Sequence, residues 1–287
     1  MMMGVNIPGG TGLSALPGAL QTIERDGWQA AELNLSSCPL IIGGKLQPQV
    51  VASVKKLLAE HPLHYTAHAG YGLDLCNEEA PRRHLDVLLS SVDACAELGI
   101  DRLNIHYEQH SPKRPLRQQF LDFAAEAAER GAALGVAINV ENIEVEDYCH
   151  ALQAVKQIHH PNLGMTLDLG HLWLSANYFG YDYLDAVREC APYVRHVHVN
   201  DNTGEFEPMR VTDYHVYNTL DRGYRFAFGR GDIHIPPLWG TAPLRDAFAI
   251  LKQANYPGIW LCEYYSHMFC GLNSGIREAV QAAIEQA

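Results

Sequence analysis

Residues 164–171, GMTLDLGH, and 194–201, VRHVHVND, decide the fold. Each is a short apolar run of strand character that ends in side chains able to bind a cation: Asp168 and His171 in the first, His198 in the second. Outward along the chain the same form returns in HYTAHAG (64–70, with His68), RLNIHYE (102–108, His106), VAINVEN (136–142, Glu141) and IWLCEYY (259–265, Glu263). Acids and imidazoles at the ends of six separate strands converge only when those strands lie side by side with their C-terminal ends in common. That is the mouth of a parallel β-barrel. Carboxylate oxygens mixed with imidazole nitrogens suit a divalent ion such as Mn2+, Zn2+, Co2+ or Fe2+, with Mg2+ also in range.

The rest of the 287 residues fits this frame. Strand-like and helix-like stretches alternate eight times, with strands expected near 4–7, 29–35, 63–69, 101–107, 135–142, 163–168, 193–199 and 258–264. Between them lie amphipathic segments such as PQVVASVKKLLAEH (48–61) and APRRHLDVLLSSVDACAELG (80–99). In the second, Leu85, Leu88, Leu89, Val92, Cys95, Ala96 and Leu98 recur at three- and four-residue steps, which marks a helix with one buried stripe. Gly99 and Gly135 punctuate helix ends, as a residue tolerant of positive φ does. Strict alternation implies parallel pairing, and eight units imply closure. The expected fold is therefore α/β, a single (β/α)8 TIM barrel over 1–287, with a long inserted loop after the seventh strand at about 200–242.

Composition narrows the function. The 33 Asp and Glu outnumber the 21 Lys and Arg, giving a net charge of −12, a poor match to a phosphate backbone; nucleic acid is not an expected partner. No apolar window approaches the roughly 18 residues of a membrane span. The start, MMMGVNIPGG, lacks the basic head and apolar stretch of a secretory signal. Seven cysteines without CxxC spacing read as reduced thiols, so the expected location is the cytoplasm.

Glu141, Asp168, His198 and Glu263 come from four strand ends and offer three carboxylates and one imidazole. Such a set holds one divalent ion and leaves coordination positions for substrate oxygens. His171 reads either as a helix-start histidine or as a contact to metal or substrate. His68 and His106 are either core histidines or ligands facing the same mouth. Asp213 and His215, in DYH on the long loop, form a D-x-H pair that presents two ligand types to one side of an extended segment.

On the motifs AELN (31–34), HVND (198–201), GRGDIH (229–234) and LCEYY (261–265), the chain resembles the xylose-isomerase-like TIM-barrel superfamily. That superfamily joins sugar isomerases and epimerases with the endonuclease IV type of apurinic endonuclease. The resemblance covers nearly the whole chain. In the sugar branch the metal-binding residues fall on Glu141, Asp168, His198 and Glu263, and His171 contacts substrate. In the endonuclease branch three metals share nine ligands. These fall on the same five residues together with His68, His106, Asp213 and His215, while Asp232 and His234 in GRGDIH are an alternative pair. Glu32, at a position where the sugar branch commonly carries an acid, is expected at the substrate with Tyr107, His171 and Trp173.

The loops choose between branches. PGGTGLS (8–14), ENIEVEDYCH (141–150), GHLWLSANYFGYD (170–182) and YYSHMFCGLNSG (264–275) contain no Lys or Arg. Aromatic residues crowd the expected rim, which suits sugar C–H faces better than a polyanion. The leading expectation is a divalent-metal-dependent isomerase or epimerase of a sugar or related polyhydroxy carbonyl compound. Glu141 and Glu263 would exchange a proton through a metal-stabilised enediolate. The alternatives are a three-metal phosphoester hydrolase and a metal-dependent lyase of an oxidised sugar. A binding-only module need not gather so many titratable groups at one point. One to three ions per chain, a small polyhydroxy partner and a homo-oligomer are all compatible with the resemblance.

Overall fold

The structure, a computed structural model, describes residues 1–108 and 114–287; the basic segment SPKRPLR (111–117) begins outside them. Its strands are β1 Met2–Asn6, β2 Ala30–Asn34, β3 Ile41–Ile42, β4 Lys45–Leu46, β5 His64–His68, β6 Arg102–His106, β7 Ala137–Glu141, β8 Leu163–Asp168, β9 Val194–Val199 and β10 Ile259–Cys262. All but β3 and β4 close into a parallel barrel in the order β1-β10-β9-β8-β7-β6-β5-β2. Each barrel strand falls within about two residues of its expected place. The antiparallel pair β3–β4, a short arm in the second connection, had no counterpart in the sequence reading.

The connecting helices are α1 Leu16–Arg25, α2 Pro48–Ala59, α3 Pro81–Leu98, α4 Arg114–Leu134, α5 Tyr148–Ile158, α6 Leu169–Phe179 and α7 Tyr183–Cys190. Then come α8 Met209–Thr212, α9 Tyr214–Tyr217, α10 Arg222–Phe228, α11 Leu244–Gln253 and α12 Asn273–Gln286. The stripe expected in α3 is buried through Leu85, Leu88, Val92, Cys95 and Leu98, and Gly99 closes the helix at φ 75°. No helix among the described residues is long and apolar enough to cross a membrane.

Alternation along each strand sorts the core into two regions. Leu33, Ala67, Leu103, Ile105, Ile138, Val140, Leu167, Val197 and Val199 are fully buried in the main apolar cluster that includes the helices. Inside the barrel, Ala30, Ile259 and Leu261 plug the N-terminal end. Gly4 passes so close to Leu261, Ala30 and Ile259 that a Cβ there would crowd all three. Above the plug the interior turns polar: Glu32, Thr66, Asn104, Asn139, Thr166 and His196 are all buried. TIM-barrel interiors are usually filled by bulky apolar residues, so this polar layer marks a region with work beyond packing.

Register delivers the strand-end residues to one place. His106 lies opposite Glu141, and Asp168 opposite His198. A β-bulge between β8 and β9 leaves Arg195 unpaired and exposed, so that His196 and His198 both turn inward. Bulges recur beside functional sites because they re-aim side chains in this way.

The connection after β9 is an excursion with a closed neck. Bridges Asp201–Ile235 and Glu205–Arg230 hold its two ends together, and α8, α9 and α10 fold between them. Arg210 pins it to the barrel by donating to Glu144 (2.8 Å) and pairing with Glu108 (3.5 Å), residues that follow β7 and β6.

Candidate metal centre at the barrel mouth

Nine acids and imidazoles converge at the C-terminal ends of the strands in three sets. His68, His106 and Glu141 form one; Glu141, Asp168, His198 and Glu263 the next; His171, Asp232 and His234 the third. Within each set the donor atoms lie within 4.8 Å of one another. Glu141 belongs to two sets. Its Oε2 is 3.2 Å from His68 Nε2 and its Oε1 is 3.2 Å from His198 Nδ1. Glu263 Oε2 approaches the same His198 Nδ1 at 3.0 Å.

Local structure fixes each donor. Asp168 ends β8 and caps α6, its Oδ1 accepting from His171 N at 2.6 Å, while Asn200 Nδ2 donates to its Oδ2 at 2.7 Å. Gly170 is required beside it, since any Cβ would collide with the Asn200 amide. Histidine tautomers follow from acceptor-only carbonyls. His68 Nδ1 donates to Ala69 O (2.9 Å), His171 Nδ1 to Asn142 O (3.1 Å) and His234 Nδ1 to Glu263 O (2.8 Å). Each therefore turns Nε2 toward its set; His234 Nε2 and His171 Nε2 lie 3.0 and 3.5 Å from Asp232 Oδ2. A carbonyl holding the far nitrogen is the usual way a ligating histidine is oriented.

A divalent ion fits this donor set. Glu141 Oε2, Glu263 Oε2 and Asp232 Oδ1 are buried without a hydrogen-bond partner of good geometry, at least one in every set. Buried, unpaired carboxylate oxygens are costly, and cations relieve them. The electrostatics say the same. Burial opposes charge on His68, yet Glu141 beside it lifts its pKa to about 9. Burial likewise opposes charge on His198, His171 and His234, and neighbouring carboxylates raise all three well above the usual range. Burial pushes the Asp168 carboxyl up to about 6. Glu263 is held down at about 2, the His198 charge outweighing burial. The acids demand positive charge at this spot, whether from protons or from ions.

A histidine whose pKa is raised on folding contributes stability that is complete below pH 6.5 and is lost as pH climbs through about 9. Chelator-treated protein should thus melt at progressively lower temperature between these limits. With excess Mn2+ the trend should flatten or reverse, because ligands must shed protons to bind metal. Parallel melting curves in the two buffers would contradict this account.

The expected residues divide clearly. Glu141, Asp168, His198, Glu263, His68, His106 and His171 meet at the mouth. Asp213 and His215 do not, and that expectation is corrected: both are exposed, and Asp213 caps α9 by accepting from Val216 N at 3.1 Å. Their place is taken by Asp232 and His234, because the excursion inserts before the D-x-H pair. Glu32 is corrected too. It is buried inside the barrel beneath His198, away from the mouth. Tyr107 is buried against Phe120, ring centroids 4.6 Å apart, and presents no face to a substrate. Trp173 braces loops: its indole donates to Thr241 Oγ1 (3.1 Å) and packs edge-on to Tyr183.

A closed parallel barrel with acids and imidazoles gathered at its C-terminal rim defines a class of TIM-barrel proteins. Within it the chain belongs to the xylose isomerase-like TIM barrel family, whose profile matches residues 20–286. Solved structures share the fold at low identity. A xylose isomerase-like TIM barrel protein from Mycobacterium smegmatis in complex with magnesium superposes with TM-score 0.73 at 15% identity, covering 99% of this chain and 96% of that one. D-allulose 3-epimerase from Methylomonas sp. in complex with D-allulose gives TM-score 0.69 at 18% identity, with 100% and 96% covered. A 3-keto-D-glucoside 4-epimerase from E. coli gives 0.67 at 16% identity, with 100% of both chains covered.

Proposed function

We propose that this chain is a divalent-metal-dependent isomerase or epimerase of a sugar or related polyhydroxy carbonyl compound. The observation that carries the reading is the central set, in which Glu141 and Glu263 reach one point with Asp168 and His198. A divalent ion held by these four residues would polarise neighbouring carbonyl and hydroxyl oxygens. Glu263 takes the proton from the carbon beside the carbonyl. Its side chain keeps 19% exposure, whereas Glu141 and Asp168 have none. Glu141, fixed from behind by His68, would enter the cycle protonated and give its own proton to the opposite face of that carbon, the two acids exchanging roles in the reverse direction. The ligand and substrates named for the two epimerases above, D-allulose and a 3-keto-glucoside, belong to the same chemical class.

One observation favours a second reading, phosphoester hydrolysis at three ions: the nine donors sort into three sets with Glu141 shared. Arginine use weighs against it. In the excursion and its neck, Arg210 is taken by Glu144 and Glu108, Arg230 by Glu207, and Arg225 by the Tyr217 hydroxyl, so these guanidinium groups hold the loop. The test is elemental analysis of protein purified without chelators, followed by solvent-deuterium exchange over a panel of ketoses and aldoses. Deuterium entering beside the carbonyl supports the isomerase, and eliminated products in the same assay identify the lyase variant. Three ions, no exchange and release of phosphate from phosphoesters would overturn it.

A further inference from the structure

The histidines of the mouth are not held alike. His68, His171 and His234 each give Nδ1–H to a backbone carbonyl and turn Nε2 to their set. His198 is inverted: Nδ1 faces Glu141, Asp168 and Glu263, while Nε2 points down the barrel to Glu32 Oε1 at 3.0 Å. We propose that Glu32 is the positioning residue for His198, holding the proton on Nε2 so that the Nδ1 lone pair is presented to the central set.

The contacts that fix this tautomer start at the bottom of the barrel. Arg102 Nη1, which can only donate, reaches His196 Nδ1 at 3.2 Å and Arg195 O at 2.9 Å. His196 Nδ1 is therefore an acceptor and its proton sits on Nε2, 3.3 Å from Glu32 Oε2. The same oxygen accepts from Thr66 Oγ1 (2.8 Å) and Asn104 Nδ2 (2.6 Å). The Asn104 amide cannot turn over, because its Oδ1 already accepts from Thr166 Oγ1 (2.6 Å) and Asn139 Nδ2 (3.1 Å). Thr66 and Asn104 thus satisfy Oε2, with His196 Nε2 in ion-pair contact beside them. Oε1 is fully buried without a hydrogen bond of good geometry, and the proton it can draw is the one on His198 Nε2, 3.0 Å away. The rival donor to His198 Nε2, the Asn104 amide, is well aimed but stands at 3.5 Å, farther than Glu32 Oε1 at 3.0 Å. Glu32, His196 and His198 also cluster as metal-type donors. The Thr66 hydroxyl and Asn104 amide hold one oxygen of Glu32 and His198 Nε2 lies against the other, which makes this cluster the support of His198.

The inference rests on a cation binding at the central set and not on which reaction follows. It is tested on zinc-loaded protein labelled with 15N-histidine. Long-range 1H–15N spectra should show His198, assigned by its loss in His198→Gln, with Nε2 protonated and Nδ1 on the metal; His68, His171 and His234 should be protonated on Nδ1. Glu32→Gln keeps the volume but brings an amide N–H against a donor on one side or the other. Zinc affinity by chelator competition should fall about 10- to 100-fold, and the His198 signal should divide between tautomers. Arg102→Met, remote from the mouth, should weaken zinc in the same direction by less than about tenfold. A wild-type His198 bound through Nε2, or folded Glu32→Gln with zinc affinity within about threefold of wild type, overturns the proposal. If Glu32→Gln does not fold, the wild-type spectrum decides alone. Failure of the wild type to bind zinc would instead overturn the metal reading itself, and this inference with it.

Discussion

Glu141→Gln is expected to lower turnover by about a thousandfold or more and to weaken ions at two sets at once. The size of the effect comes from sharing. Glu141 is fully buried and its two oxygens face different imidazoles, His68 on one side and His198 on the other. Glutamine preserves the shape but removes the charge that lets two cationic partners sit so close together. Unpairing a buried charge costs about 3–5 kcal/mol in general, so the variant should also melt lower when metal-free. Asp213→Asn is the matched control. That carboxylate is an exposed cap of a four-residue helix, and its loss should leave metal content and turnover unchanged within about twofold. Asp232→Asn should empty the third set alone. Metal content by elemental analysis and turnover measured on all three variants check this ordering. An Asp213 variant that loses metal, or a Glu141 variant that keeps full activity, would show the donor sets to be wrongly drawn.

The sequence made the strands legible because short apolar runs alternate with amphipathic helical stretches, and six of the runs carry an acid or imidazole at or just past their ends. It made the central set legible because strand ends of a parallel barrel share one rim. What it hid depends on side-chain parity and depth. Tyr107 follows His106 directly, so the pleat turns it outward onto Phe120 of α4. Glu32 stands two residues before the end of β2, one layer deeper than His68 at the end of β5, and so it supports a ligand instead of meeting substrate. Trp173 lies two positions after His171 on α6, which rotates it away from the mouth. The D-x-H pair is hard to place from sequence because both candidates lie in one long connection, and the Glu205–Arg230 bridge encloses Asp213 and His215 while leaving Asp232 and His234 at the barrel. One signal for the supporting layer was present all along. Thr66, Asn104, Asn139, Thr166 and His196 each precede a strand-end donor by two residues, a second polar ring at strand period.

Stripping the protein of divalent ions is expected to lower its melting temperature by about 8–16 °C and to abolish turnover, both restored by adding metal. An ion in thousandfold excess over its dissociation constant stabilises the folded chain by about 4 kcal/mol at each site. For a domain of this size each kcal/mol shifts the midpoint by about 2–4 °C. Occupancy of all three sets would carry the shift further. The direction follows from the charges at the barrel mouth. Without cations, Asp168 is pressed toward its neutral form by burial, and the other carboxylates hold protons on His198, His171, His234 and His68. Ions displace those protons and relieve Asp168 in one step. The choice of ion should split by set. Two imidazoles and one carboxylate, as in His68–His106–Glu141 and His171–His234–Asp232, favour Zn2+ over Mn2+, whereas three carboxylates and one imidazole accept the harder Mn2+ or Mg2+. Zn2+ should therefore give the largest thermal shift, Mn2+ a smaller one and Mg2+ the least. Calorimetric scans of chelated and reloaded protein decide the matter: a midpoint unmoved by Zn2+ at thousandfold excess, with turnover intact in chelator, would mean that these nine side chains hold protons and nothing else.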